Sequence, residues 1–221
     1  MSPLPLFPLG TVLLPGGRLP LQLFEPRYLR LAQDLAELPE GERRFGVLLI
    51  RQGHEVGDGR AADLQGIGCE AVVDAMALAE GPSGTVVHLV GRGARRFRLD
   101  RVDDAAGTPY VTGDVTWLED EPVPEDAPLE ALAARVRLAH EQYLDTVGAT
   151  AEPLEALAKD VPYRVAERMV LDVADRQRVL DGPDPATRLR TVLSLLRRET
   201  AIVGEFGALP SVPEPEGPSL N

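Results

Sequence analysis

The pattern of apolar and polar positions divides this chain into a β-rich first part and a helical second part. Near the start, Leu19, Leu21 and Leu23 alternate with polar residues and with Pro20, which predicts a half-buried strand. Proline cannot donate a ladder hydrogen bond, so Pro20 places that strand at a sheet edge or a bulge. The preceding Leu-Pro-Gly-Gly at residues 14–17 predicts a type II turn.

One helix is predicted directly after this edge strand. Glu25-Pro26 suits a helix start, because the missing N–H of proline costs nothing at the first helical position. Tyr28 and three leucines then recur at helical spacing, and the Pro-Glu-Gly at residues 39–41 ends the helix.

Further strands follow from the apolar runs up to residue 118. The run at residues 45–50 predicts a strand buried on both faces, and residues 67–90 predict a long hairpin. Two glycines, Gly91 and Gly93, indicate a bulge or a tight bend, and a last strand is expected near residues 110–118. The polar stretch at residues 51–63 predicts a loop. The β unit is therefore expected to be mostly antiparallel, with bends that favour a closed or half-closed barrel.

The second part has helical periodicity. A Pro-rich, acidic stretch at residues 119–128 predicts the boundary, and an apolar stripe predicts a long helix that begins at Pro128. Shorter helices are expected around residues 153–160 and 162–171, after an Asp172 cap, and after Asp184-Pro185. The predicted organisation is a β-rich unit (1–118), a linker (119–128), a helical bundle (129–206) and a disordered tail (207–221).

Composition and charge limit the classes of function. The 221 residues carry a formal net charge of −12, which disfavours a general affinity for nucleic acids or anionic membranes. Residues 1–118 hold 12 basic and 15 acidic side chains, leaving 11 and 20 for the rest, so the excess of acid lies in the second part. A single cysteine, no signal-like start and no long apolar run predict a cytoplasmic protein.

The sequence offers no recognisable catalytic, cofactor-binding or metal-binding set. It has no phosphate-binding loop and one lysine, Lys159, and its three histidines are not spaced for metal binding. His54, His88 and His140 are interpreted as structural, and Cys69 as a small buried hydrophobe. We therefore predict no enzyme and no cofactor.

One basic cluster, Arg95-Arg96-Phe97-Arg98, raises the alternative of an RNA-binding barrel. Strand alternation instead places Arg96 and Arg98 on a solvated face beside Asp100, opposite Phe97 and Leu99. The acidic balance of the chain also argues against binding to RNA.

The order of several segments resembles a known family. LPLFPLGTVLLPGGRLPLQLFEPRYLRL, FGVLLI, LQGIGCEAVV and GTVVHLVGRGARRFRL follow the N-terminal substrate-binding domain of Lon proteases, and VADRQRVLDGPDPATRLRTVLSLLRRE is similar to its helical half. The resemblance spans roughly residues 4–203. It implies an α+β fold, in which a PUA-like β pseudo-barrel with one helix precedes a helical bundle.

Lon enzymes also carry an ATPase module and a Ser-Lys peptidase module, and neither fits into these 221 residues. The resemblance therefore implies a free-standing substrate-binding protein, to which ATP-dependent proteolysis is not transferred. It would recognise unfolded or client protein segments in protein quality control, with a separate protease or ATPase as a further partner.

Two hypotheses follow for the binding surface. In the first, the edge strand offers backbone groups for strand addition and nearby apolar side chains supply pockets. The candidate side chains are Leu13, Leu14, Leu19, Leu21, Phe24 and Tyr28, which could equally fill the core. In the alternative, a small-ligand binder or enzyme uses the groove between the β unit and the helical bundle.

Overall fold

Six strands form one mixed sheet in the computed structural model, which describes residues 3–51, 64–81, 84–103, 105–123 and 128–206. The strands are β1 (Leu4–Leu9), β2 (Arg18–Leu23), β3 (Arg44–Leu49), β4 (Ile67–Gly81), β5 (Gly84–Val102) and β6 (Thr112–Trp117). The helices are α1 (Pro26–Ala36), α2 (Leu129–Val147), α3 (Val161–Glu167), α4 (Val173–Asp181) and α5 (Pro185–Phe206). The expected α+β class, with strands before the helical bundle, is confirmed.

The sheet closes into a small barrel through its longest strand. The strand order is β2-β5-β4-β3-β1-β6, and β6 also pairs with β5. The first half of β5 pairs with β2 and its second half with β6. Strands β5, β4, β3, β1 and β6 therefore form a ring, and β2 lies outside it at a free edge, as Pro20 predicts.

The barrel interior is filled around Phe97. This ring is fully buried, and it lies with Leu6, Leu48 and Leu64 in a core of its own. Trp117 meets Phe97 edge-on, with ring centroids 6.1 Å apart. The interior is therefore a solid core rather than a channel.

Bulges occur beside Gly91 and Gly93 of β5, as predicted. The register shifts between Val73 and Ala75, which pair with Gly91 and Val90, so Asp74 is the extra residue on β4. A second shift lies where Ala71 pairs with Gly93. These bulges bend the long hairpin, which continues past the barrel as a two-stranded arm.

A larger second core joins the outer face of the sheet to the helices. Phe7 and Phe45 from the sheet share it with Tyr28 and Leu31 of α1, and with side chains of α2 to α5 such as Val136. The β unit and the helical bundle therefore share one continuous apolar core. The division of the chain at residues 119–128 stays a prediction.

Most helix boundaries follow the predicted signals. The N–H of Asp175 donates to the Asp172 carboxylate at 2.7 Å, which caps α4, and the N–H of Thr187 donates to Asp184 at 2.9 Å, which caps α5. Gly182 ends α4 with a negative φ of −55°. Glycine is required there for space, because a Cβ would lie 2.4 Å from Cγ of Arg188.

The prediction of a helix over residues 153–160 is wrong. This segment forms no regular helix before a turn at residues 158–160. One backbone carbonyl of the segment and one just before it accept from arginine side chains: Arg137 donates to Ala156 and Arg168 to Glu152, both at 2.8 Å. These bonds hold the backbone of this segment in an extended conformation across the bundle. In a helix the same carbonyls would point along the helix axis and could not accept from these arginines.

The prediction that Arg96 faces solvent is also wrong, whereas Arg98 is exposed. The outer face of β5 is covered at this point by the junction between α4 and α5. Arg96 is 5% exposed and donates to the carbonyls of Leu180 and Gly182 at 3.0 and 2.5 Å. Strand alternation correctly predicts that Arg96 lies on the outer face of β5, but it cannot predict that the junction between α4 and α5 covers this face.

Some predictions fall outside the described residues. These are most of the loop at 51–63, His54 and the tail at 207–221. Within the described part of the chain, no helix has both the length and the apolar character needed to cross a membrane.

Candidate functional site

An open groove lies between two strand edges and the start of α1. It encloses about 740 Å³. Its lining comes from β1 and the residues after it, the end of β2, the start of α1 and Ile50; the members are Phe7, Pro8, Leu9, Gly10, Leu21, Gln22, Phe24, Glu25, Pro26, Arg27, Tyr28 and Ile50. A volume in the range of small-ligand and peptide pockets makes it the candidate functional site.

The groove exists because the barrel is closed at one end only. Leu4 and Pro5 pair with β6, and the N–H of Leu6 donates to Val111 at 2.8 Å. The rest of β1 keeps its pairing with β3, and no strand of the described residues lies on its other side. Strand β2 likewise pairs on one side, with β5. The two open edges therefore form the walls of the groove.

The predicted type II turn fixes the position of β2. Gly16 has a φ of 77°, a conformation that glycine adopts without strain, and the N–H of Gly17 donates to Leu14 at 2.9 Å. The helical bundle holds the same turn, because Arg164 donates to the Gly16 carbonyl at 2.7 Å. The turn prediction is confirmed, and the turn is anchored on both sides.

The six candidate side chains divide between core and groove. Leu13, Leu14 and Leu19 are buried in the shared core and do not line the groove. Tyr28 is also buried, at 8% exposure, but its ring borders the groove. Leu21 is half-buried in the groove wall, and Phe24 is 66% exposed at its rim. Of the six side chains predicted to bind a client, Leu21, Phe24 and Tyr28 are therefore the ones that line the groove.

Aromatic rings stiffen the floor of the groove. Phe7 stacks on Tyr28 with ring centroids 4.0 Å apart and an angle of 19°, and Phe45 lies behind Phe7 at 6.0 Å. The groove therefore lies on a rigid base of packed aromatic rings, which needs little rearrangement on binding.

The charges of the groove are paired with each other. Arg27 and Glu25 form an ion pair at 2.8 Å, and the Arg27 guanidinium lies 4.6 Å from the centre of the Tyr28 ring. Burial raises the pKa of Tyr28, against an opposing effect of Arg27, so the phenol stays neutral at physiological pH. The groove is therefore close to electrically neutral and suits apolar side chains better than charged ones.

Several groove residues were not among the sequence candidates. Pro8, Leu9 and Ile50 enter it because β1 and β3 run parallel, side by side. Residues 4–9 are entirely apolar or proline and lack the alternation typical of a half-buried strand. A continuous apolar run of that length could have indicated a strand buried on both faces.

Cys69 and His140 are buried, as predicted for structural groups, whereas His88 is exposed, which contradicts the prediction of a structural role for it. Cys69 is fully buried, and burial raises the pKa of its thiol to about 12, which excludes a reactive thiolate. His140 is buried on the inner face of α2, in agreement with a structural histidine, and His88 is exposed on β5.

The basic cluster of β5 is engaged within the protein. Arg95 pairs with the buried Glu70 at 3.0 Å and stacks on Trp117 at 3.9 Å. Arg98 pairs with Asp100, and Arg96 is buried. The cluster does not form the open cationic face that RNA binding requires.

Comparisons with known proteins identify related chains. The family model of the ATP-dependent protease La (LON) substrate-binding domain matches residues 3–198. The Lon protease of Anaeromyxobacter dehalogenans (strain 2CP-C) is 27% identical over 209 residues, and Lon protease 2 of Myxococcus xanthus is 26% identical over 208 residues. Each alignment covers 90% of this chain and 24% of the relative, so the chain spans about a quarter of these proteases.

Solved structures show the same fold. A Lon N-terminal domain protein from Xanthomonas campestris is 30% identical, with a TM-score of 0.57 and coverage of 88% of this chain and 98% of its own. The N-terminal domain of Mycobacterium avium complex Lon protease has a TM-score of 0.58 at 19% identity, covering 90% of this chain and 98% of that domain. Both of these solved structures are described as N-terminal domains.

Proposed function

The chain belongs to the family of Lon substrate-binding domains, and on this premise we propose that it is a non-enzymatic protein that binds apolar segments of other proteins in the groove between β1, β2 and α1. The observation that carries the proposal is the exposed ring of Phe24 beside a preformed aromatic floor. An aromatic side chain with about two-thirds of its surface exposed, at the rim of a neutral groove, is typical of a recognition surface.

The clients would be unfolded or partly unfolded protein segments, because apolar residues are accessible only in such segments. The protein would act in the cytoplasm, in protein quality control, with a separate protease or ATPase as a further partner. Neither nucleic acid nor membrane is proposed as a partner, in keeping with the acidic net charge and the internally paired arginines of β5.

The proposal is tested by binding of the purified protein to an array of short peptides that tile an unfolded model protein. Phe24→Ser should weaken binding to the selected peptides about tenfold, since it removes an aromatic anchor at the rim. Leu78→Ser is the matched control, because Leu78 is also exposed, at 72%, but lies on the hairpin arm beside a different groove.

Circular dichroism on each variant must show the native fold. If the wild-type protein is folded and binds none of the peptides, the proposed function is wrong. If Leu78→Ser loses binding and Phe24→Ser keeps it, the client-binding surface is the groove beside the hairpin arm and not the one assigned here.

A further inference from the structure

The direction of the backbone groups on the two groove walls limits how a client can bind. The N–H of Gly93 donates to the carbonyl of Gly17 at 2.9 Å, just before β2. In an antiparallel ladder the bonded pairs recur every second residue, so Leu19, Leu21 and Leu23 direct their backbone groups towards β5. The backbone groups of Arg18, Pro20 and Gln22 therefore point away from the sheet.

The opposite wall has the same arrangement. The N–H of Ile50 donates to the carbonyl of Leu9 at 2.9 Å, and the N–H of Leu6 donates to Val111 on the other side of β1. By the same alternation, the backbone of Pro8 points away from β3 and towards the groove.

A proline therefore occupies an outward-facing position on each wall. Pro8 and Pro20 each offer a carbonyl but no N–H. Among the described residues that line the groove, Gln22 is the position of β2 that offers both an outward N–H and an outward carbonyl. Arg18 offers the same pair of groups but lies four residues away, about 13 Å along the strand, and does not line the groove.

We propose that a client segment binds in extended form and pairs through one of its residues with the backbone of Gln22, while a neighbouring apolar side chain enters the groove against Phe24 and Tyr28. This inference rests on the proposed function and specifies its mode of binding. The occupant is an extended, uncharged segment of a protein, because the groove has paired charges and its free hydrogen-bonding groups are those of a strand edge.

Proline limits the length of the added strand. A long edge with a donor at every second residue would accept any extended chain, whereas Pro20 removes the donor next to Gln22 on the outward side. A single backbone pair contributes little affinity, so binding also requires a suitable side chain in the groove. Because the backbone pair alone is too weak, binding depends on the side chain in the groove and is therefore selective for segments with apolar residues.

The test uses the tightest peptide from the array and a set of analogues in which each backbone amide in turn is N-methylated. One N-methylated position should lose about tenfold in affinity, and its immediate neighbours should stay within about twofold, since adjacent amides point to opposite sides of a strand. In the protein, Gln22→Pro should cause a similar loss and Gln22→Ala should not, because Gln22→Pro removes the outward N–H without breaking a bond to β5.

Absence of any binding peptide would contradict the proposed function itself. A peptide that binds but tolerates methylation at every amide would contradict the backbone pairing alone, and so would equal affinities of Gln22→Pro and Gln22→Ala. The methylation series decides the question even if Gln22→Pro does not fold. Sedimentation velocity on the free protein provides a further check, since a dimer that Gln22→Pro dissociates would show that a second copy, and not a client, occupies the edge.

Discussion

The guanidinium of Arg96 lies 3.0 Å from the carboxylate of Asp120, at the point where the β unit meets the helical bundle. Arg188 of α5 reaches the same carboxylate at 2.8 Å and the carbonyl of Gly182 at 2.9 Å. One acidic residue between the two units thus pairs with an arginine from each. The junction is therefore a hydrogen-bonded part of the folded structure.

Replacing Arg96 should destabilise the whole protein. Arg96→Met keeps most of the side-chain volume, but it removes the Arg96 donor from the carbonyl of Leu180, leaves the carbonyl of Gly182 with Arg188 alone, and removes one partner of Asp120. We expect a loss of about 2 kcal/mol in the free energy of unfolding, because the variant loses charge-assisted hydrogen bonds from a buried guanidinium. Urea unfolding followed by circular dichroism measures it.

Arg98→Met is the control for this variant, since Arg98 is exposed and lies two residues further along β5. It should leave the urea midpoint unchanged. Equal midpoints for the two variants would contradict a structural role for the Arg96 contacts.

Pro20→Ala should make the free edge of β2 pair more readily with other strands. The change restores an outward N–H next to Gln22 and lengthens the edge available for pairing. We expect tighter binding of client peptides, or self-association on concentration, together with a loss of up to about 1 kcal/mol in stability from the more flexible unfolded chain. Sedimentation velocity and peptide titration measure both effects.

Pro39→Ala is the matched control, because Pro39 is exposed in the turn after α1, lies outside the groove lining, and its missing N–H has no ladder role. A Pro20→Ala protein that stays monomeric at high concentration and binds peptides like the wild type would show that the edge is not limited by this proline.

His140 should make the protein sensitive to acid. Burial lowers the pKa of this imidazole, and the positive charge of Arg168 lowers it further, against a smaller opposing effect of Glu141. The unfolded chain takes up a proton as the pH falls through about 6.5, whereas the folded protein does so only at lower pH. Stability should therefore fall with pH below about 6.5 and level off below the folded-state pKa.

His140→Phe removes this proton uptake, and among the described residues Nε2 of the wild-type imidazole has no hydrogen-bond partner that the change would break. Urea midpoints at pH 8, 6.5, 6 and 5 should fall less steeply for this variant than for the wild type, with the exposed His88→Gln as control. Parallel pH profiles for all three proteins would contradict the assignment.

Cys69 should report on unfolding. Its thiol is fully buried, and burial raises its pKa to about 12, so the folded protein carries almost no thiolate at pH 8. A disulfide reagent such as 5,5′-dithiobis(2-nitrobenzoate) should label it immediately in guanidinium chloride and far more slowly in buffer. Labelling of the folded protein at the rate of a free cysteine would contradict the observed burial.

The sequence predicts elements best where a local signal sets the structure. The turn before β2, the proline start of α1 and the aspartate caps of α4 and α5 follow from contacts between residues close together in the chain. The burial of Arg96 depends on a helix junction more than 80 residues away, and no periodicity carries that information.

The same reasoning explains the mixed result for the groove. Leu21, Phe24 and Tyr28 line it, whereas Leu13 and Leu14 enter the core, because the turn that follows them directs the chain across β5. Residues Pro8 and Ile50 of the opposite wall come from β1 and from the end of β3, and only the closure of the barrel brings them to the groove.

The prolines of the groove walls also matter while the protein is being made. Both β1 and β2 leave the ribosome before β5 and β6, which between them pair with part of each. Until about a hundred residues have been synthesised, these two strands are exposed edges in a crowded solution. Pro8 and Pro20 withhold a donor from each edge, so the growing chain of a protein proposed to bind unfolded segments is itself protected from unwanted strand pairing.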